Sequence, residues 1–262
     1  MDLEHVKRVG IRAAYRSGRI LHERLGRITR IRKKGAIDLV TEADLESEKV
    51  IIDVIKADFP DHSVLAEETG RADGREDCRW IIDPLDGTTN FAHQLGLFAV
   101  SIAFEYRGDL VMGVVLNPVS GELFTGLKGK GAELNGCGIH VSDAPAVAES
   151  LLVTGFPYSL KTILKPLMVR FENCLAAARG VRRLGSAALD LCYVACGRFD
   201  GFWEQQLKPW DTSAGVVIAR EAGAAITDFA NQPFTMESQE LLATNGRIHR
   251  EMISLLELQQ LT

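Results

Sequence analysis

The chain has 262 residues, 46% of them hydrophobic, enough to bury a substantial core as one large domain or two intimately packed halves. A net charge of −5 and a pI of about 5.7 weigh against a general nucleic-acid-binding surface, and no apolar run approaches the roughly 20 residues that span a bilayer. Five scattered cysteines (Cys78, Cys137, Cys174, Cys192, Cys196) and a first segment without signal-peptide character predict reduced thiols and a cytoplasmic location.

Leu3, Val6, Val9, Ala13, Ala14, Ile20 and Leu21 recur at near-helical spacing and predict an amphipathic helix over 3–25. Val50, Ile51, Val54 and Ile55 predict a second over 43–57, with a basic segment (Arg27, Arg30, Arg32, Lys33, Lys34) between them. From 78 to 136, short apolar runs such as 98–104 and 110–116 alternate with turn signals: Arg107-Gly108-Asp109, Asn117-Pro118, Ser120-Gly121, Lys128-Gly129 and Asn135-Gly136. That spacing predicts an antiparallel meander. The Ser/Ala/Pro-rich stretch 142–150 divides an N-terminal α+β half, 1–141, from a C-terminal α/β half, 142–262, within one compact unit. In the second half, strands are predicted at 151–154, 199–204, 225–229 and 241–244, and helices at 161–178, 186–197, 211–222 and 247–259. The fold class is therefore a layered α+β/α/β sandwich with alternating helix and sheet layers.

The most informative segment is Trp80-Ile81-Ile82-Asp83-Pro84-Leu85-Asp86-Gly87-Thr88-Thr89-Asn90-Phe91. A buried strand over 78–82 should deliver Asp83 to its end, held extended by Pro84. Asp86 follows on the turn, and Gly87 permits unusual backbone angles or close approach of a ligand. Thr88 and Thr89 could open a helical turn whose free N–H groups attract phosphate. Carboxylates this close repel one another unless a cation separates them, and Mg²⁺ takes such hard oxygen ligands together with substrate phosphate and water. An Asp-capped turn explains any one of these residues but not the set. Asp211, in Trp210-Asp211-Thr212-Ser213-Ala214-Gly215, begins an apolar helix, where a helix cap is by itself a sufficient reason for Asp. A third acidic patch, Ala66-Glu67-Glu68-Thr69, follows the apolar pair Val64-Leu65 as if at another strand end.

Taken together, these segments resemble the inositol monophosphatase family over nearly the whole chain. DPLDGTTNF (83–91) and WDTSAGVVIAREAGA (210–224) fit its two signature motifs in order and spacing. DLVTEAD (38–44), AEE (66–68), GFPY (155–158) and GSAALD (185–190) match as well. Ala66 and Ala224 stand where glycine is common, which touches only local loop geometry. The resemblance implies the family's sugar-phosphatase fold and a metal set of Glu67, Asp83, the Leu85 carbonyl, Asp86 and Asp211, binding two to three Mg²⁺ ions with Asp83 bridging. It implies that the Gly87 and Thr88 N–H groups hold phosphate and that Thr88, partnered by Asp44, orients the attacking water, with Glu67 in the catalytic set. It implies that Asp86, Ala187 and Glu204 meet the alcohol of a small phosphate monoester, and that Lys33 lies near the entrance. The family's mechanism is in-line displacement by metal-activated water. Lithium sensitivity and a homodimer are further implications.

Other readings compete. An aspartyl-phosphate phosphatase places its aspartates two apart, whereas Asp83 and Asp86 are three apart. Fructose-1,6-bisphosphatase, histidinol-phosphatase and bisphosphate-nucleotide phosphatase activities belong to the same resemblance, and Thr89-Asn90 favours the inositol branch. A non-catalytic RNA- or protein-binding regulator would use 24–34. The acidic pI and the lack of aromatic residues there weigh against nucleic acid.

Overall fold

The structure, a computed structural model, describes residues 1–27, 31–33, 39–157 and 163–258, with the backbone alone at 31–33 and 41 and its neighbours 39 and 40. The side chains of the basic segment from Arg30 to Lys34, together with Asp38 and Tyr158, lie outside the described residues.

The first part of the chain forms α1 (Leu3–Arg24), β1 (Ile31–Lys33), β2 (Leu39–Thr41), α2 (Glu42–Asp58), β3 (His62–Ala66), β4 (Gly70–Ala72), β5 (Arg75–Asp86), α3 (Thr88–Ala92), β6 (Ala99–Tyr106), β7 (Asp109–Asn117), β8 (Glu122–Leu127), β9 (Gly131–Leu134) and β10 (Cys137–Ile139). Then come β11 (Leu151–Thr154), α4 (Leu164–Ala177), β12 (Gly180–Arg182), α5 (Ala187–Ala195), β13 (Gly201–Gln205), α6 (Pro209–Glu221), β14 (Ala225–Thr227), β15 (Glu240–Thr244) and α7 (His249–Leu256). Among the described residues no helix is long and apolar enough to cross a membrane.

Eight strands form one sheet in the order β10-β9-β8-β7-β6-β5-β3-β4, and five form another in the order β12-β11-β13-β15-β14. The meander from β5 to β10 is antiparallel throughout; β3 departs from it by pairing parallel with β5. Parallel pairing needs a crossover, and here it delivers the ends of β3 and β5 to the same edge.

Strand alternation sorts the core into layers. Trp80, Ile82, Val100, Ile102 and Phe104 face one way and pack with Val6, Ala13, Ile51 and Ile55 of α1 and α2. Ile81, Ala99, Ala103 and Val115 face the other way, into Leu191, Ala214, Val216 and Ile218 of α5 and α6. Phe202 and Val153 of the second sheet close that middle layer, while Leu152, Trp203 and Leu242 turn outward onto Met252 and Leu256 of α7. The result is helix pair, sheet, helix pair, sheet, helix pair. Helix α6 lies hard against the first sheet because Gly113 offers no side chain: a Cβ built there would fall 2.3 Å from the Ala214 carbonyl oxygen.

Candidate active site

The strand ends that converge between the two sheets carry the chemistry. Strand β5 runs to Asp86 with a bulge between Asp83 and Asp86, so both aspartates reach the same end of the sheet. Gly87 then adopts φ 96° and ψ 36°, a left-handed conformation suited to glycine, and starts α3 at Thr88. A side chain there would also meet the Leu97 and Gly185 carbonyls at 3.1 and 3.2 Å. Glu67 follows β3 directly, and Asp211 enters from α6.

Glu67, Asp83, Leu85, Asp86, Gly87, Thr88, Ala187, Glu204 and Asp211 all line one cavity of about 310 Å³. Asp44 stands behind it: the Thr88 hydroxyl reaches the Asp44 carboxylate at 3.3 Å and the Leu85 carbonyl at 3.1 Å. The residues singled out in the sequence from widely separated segments are thus brought together. Asp211 differs in one detail. It is the third residue of α6, not the cap, which is Lys208; its Oδ2 reaches back to accept the Lys208 N–H at 2.7 Å.

Packing these acids together is electrostatically costly. Burial, reinforced by the charges of Glu67, Asp86 and Asp211, holds the Asp83 carboxyl far above its usual range. Burial lifts Asp86 to about 6, against the hydrogen bonds from Ser186 and Ala188, and lifts Asp211 to about 8. Glu204 is likewise pushed up to about 8 by burial, with Asp211 and Asp86 adding to it. A cation bound among these groups would offset their mutual repulsion and favour the ionised carboxylates.

The donor set fits a hard divalent cation. It is all oxygen, and Asp83 and Asp211 each spend one carboxylate oxygen on a backbone N–H (Leu85 at 2.9 Å, Lys208 at 2.7 Å), while the other makes no hydrogen bond among the described residues. Among the described residues no three His, Cys, Asp or Glu side chains are already closed upon a common point.

Several partners were given no structural role in the sequence. Ser186 donates to Asp86 Oδ2 at 2.5 Å and the Ala188 N–H adds a bond at 2.8 Å, which explains why GSAALD accompanies the aspartate motif. Asn90 donates to the Leu97 and Leu184 carbonyls at 2.7 and 2.8 Å, tying α3 to the segment before α5. Arg183 lines the cavity, and Asp190, one turn along α5, is fully buried with neither oxygen hydrogen-bonded among the described residues. A lone arginine carries no pattern that would mark it beforehand, and Asp190, in the first turn of α5, was matched only as the end of GSAALD with no role attached.

Comparison with known proteins agrees with this geometry. The model of the inositol monophosphatase family matches residues 2–261. The inositol-1-monophosphatase of Synechocystis is 44% identical over 255 residues, covering 96% of this chain and 88% of that protein. Nus factor SuhB of Vibrio cholerae is 43% identical over 246 residues, covering 91% of each. The crystal structure of the extragenic suppressor protein suhB from Bartonella henselae superposes with a TM-score of 0.94 at 38% identity, covering 97% of this chain and 98% of that one. With its signature segments gathered around one cavity, the chain belongs to the inositol monophosphatase family.

Proposed function

We propose that this protein is a magnesium-dependent phosphomonoesterase that hydrolyses inositol monophosphate to inositol and phosphate. The observation that carries this reading is the convergence of Glu67, Asp83, Asp86 and Asp211 with the Gly87–Thr88 turn and Glu204 in one cavity. The acidic oxygens would hold two to three Mg²⁺ ions, with the Leu85 carbonyl as a further ligand. Bound magnesium would supply charge neutralisation and a lowered pKa for water.

The chain's own groups do the rest. Backbone N–H groups at Gly87 and Thr88 hold the phosphate oxygens. The Thr88 hydroxyl, its proton committed toward Asp44 and Leu85, keeps its lone pairs for the attacking water. Ala187 and Glu204 meet the alcohol, with Glu204 accepting hydrogen bonds from ring hydroxyls. Metal dependence is general in this family, and a cytoplasmic homodimer sensitive to lithium is part of the same proposal.

A second reading comes from the relatives named Nus factor SuhB, which points to a role as a non-catalytic regulator. Retention of the full acidic set favours catalysis, since a scaffold has no use for buried carboxylates that repel one another. A phosphate-release screen decides: inositol 1-phosphate, fructose 1,6-bisphosphate, histidinol phosphate and adenosine 3′,5′-bisphosphate, each with Mg²⁺ and with chelator. Turnover of inositol 1-phosphate that chelation abolishes is the expected result. Undiminished turnover in chelator, or none with any ester, would overturn the reading.

A further inference from the structure

Helix α2 carries three buried polar side chains, Asp44, Ser47 and Glu48, on the face that continues into Ile51 and Ile55. Spacing of i, i+3 and i+4 puts all three on one side of the helix. Asp44 receives the Thr88 hydroxyl. Ser47 donates to the Pro84 carbonyl at 3.0 Å, inside the aspartate motif. Glu48, 1% exposed, receives two backbone N–H groups at once: Glu68 at Oε2 and Thr69 at Oε1, both at 2.8 Å.

Those two amides immediately follow Glu67. On its other flank, the Glu67 N–H donates to the Ile82 carbonyl at 3.1 Å. The turn that carries Glu67 is therefore gripped from β5 on one side and from α2 on the other. Turn amides are ordinarily satisfied by a neighbouring Asp, Asn, Ser or Thr side chain or by water. Here a carboxylate some 20 residues earlier in the chain is buried to do it, and burying a carboxylate is costly unless its oxygens are bonded. Charge-assisted bonds to both oxygens fix the direction of the turn more firmly than a single local cap would.

We infer that Glu48 is a positioning residue for divalent-cation binding: it meets neither cation nor phosphate, and it acts by fixing the turn that aims Glu67 into the cavity. The inference rests on the metal-dependent reading above, and its test is a binding measurement that needs no turnover. Glutamine at 48 keeps one acceptor but turns an NH₂ toward the second amide. Aspartate keeps the charge but falls a methylene short.

The experiment titrates Mg²⁺ into the full chain by calorimetry, measures the Mg²⁺ dependence of phosphate release, and records the Tm without metal. Glu48→Gln and Glu48→Asp should each weaken Mg²⁺ affinity by about tenfold to a hundredfold, the range seen when support of a metal ligand is removed. The half-saturating Mg²⁺ should rise in step. Ile55→Val, a packing change on the same helix, should lower the metal-free Tm without moving Mg²⁺ affinity. Wild-type affinity in both position-48 variants, whatever their Tm, would overturn the inference and leave Glu48 a purely structural residue. Should Glu48→Asp not fold, Glu48→Gln carries the test. Wild-type protein that binds no Mg²⁺ would sink this inference and the metal-dependent reading together. Intact binding without turnover would sink only the phosphatase reading.

Discussion

Glu204 fills the space that a side chain on Gly155 would need: a Cβ built on Gly155 falls 2.0 Å from Glu204 Oε2 and 2.3 Å from its carboxyl carbon. The carboxylate of β13 is thus seated against the backbone that follows β11, which explains a glycine at the head of the GFPY segment on grounds of room. Gly155→Ala should displace Glu204 and strain the wall. Stability should drop by about 1–3 kcal/mol, the usual cost of over-packing, and kcat/KM for inositol 1-phosphate should fall at least tenfold. A thermal melt and steady-state kinetics check both; an alanine variant with wild-type kinetics would show that Glu204 does not recognise the alcohol from this seat.

Glu204→Ala separates recognition from chemistry. The metal set and the Gly87–Thr88 turn see only phosphate, so selectivity falls to groups that meet the alcohol. Charge-assisted hydrogen bonds to hydroxyls are worth roughly 1.5–3 kcal/mol, so kcat/KM for inositol 1-phosphate should fall about tenfold to a hundredfold. Glycerol 2-phosphate, too small to reach Glu204, should be hydrolysed nearly as before, with the same Mg²⁺ requirement. Equal losses on both substrates would assign Glu204 to the metals or the fold.

Thr88 is expected to act mainly in the transition state. Thr88→Ala removes the hydroxyl that Asp44 and Leu85 orient, and should reduce kcat by about a hundredfold or more with little change in KM, the scale of positioned acid–base and orienting groups. Thr88→Ser keeps the hydroxyl and should recover most of the rate. A serine variant as slow as alanine would instead point to the lost methyl group, which is buried with the rest of Thr88.

Asp190 gives the stability a pH dependence. Burial holds its carboxyl well above the ordinary range, the nearby Glu204 and Asp86 charges add to this, and Arg183 opposes it. Its folded pKa exceeds its unfolded value near 3.9, so its contribution is fully present below about pH 4 and is lost as pH rises toward the folded value. Asp190→Asn, close in shape to the protonated acid, should match wild type near pH 4 and exceed it increasingly as pH rises from there toward the folded value. At pH 8 the gain should reach at least about 2 °C, the shift that roughly 1 kcal/mol gives in a chain of this size. Parallel Tm–pH curves for the two proteins would refute this origin of the slope.

Much of this architecture was legible from periodicity. Helices over 3–25 and 43–57 appear as Leu3–Arg24 and Glu42–Asp58, and the strand at 151–154 appears with those bounds. Strand 225–229 proved shorter, ending at Thr227 before the turn that Asp228 organises by accepting the Ala230 and Gln232 N–H groups. The helix foreseen from 211 starts at Pro209, because proline suits a first helical turn and Asp211 reaches back from inside it. The parallel β3–β5 pair was hidden, since strand direction leaves no mark on alternation. Asp83 and Asp86 announced themselves through glycine, proline and clustered charge, and Glu67 through its acidic pair, whereas Asp211 alone read as a helix cap and Glu204 came only from the family resemblance. Glu48 and Ser47 gave no such sign, because a polar residue on a helix looks solvent-facing until the layer beneath it is known, and Asp190 was matched within GSAALD without its burial being foreseen.

Asp211 serves two structures at once, one oxygen holding the first turn of α6 and the other open to the cavity. Loosening that turn and releasing an ion are then coupled events: the Lys208 amide cannot swing free without unseating the carboxylate that would hold the cation. Hydrogen exchange at this one amide therefore becomes a gauge of occupancy. It should slow sharply when Mg²⁺ is added and quicken again on chelation, while amides in the centre of α6, sealed against Gly113, stay protected in either state.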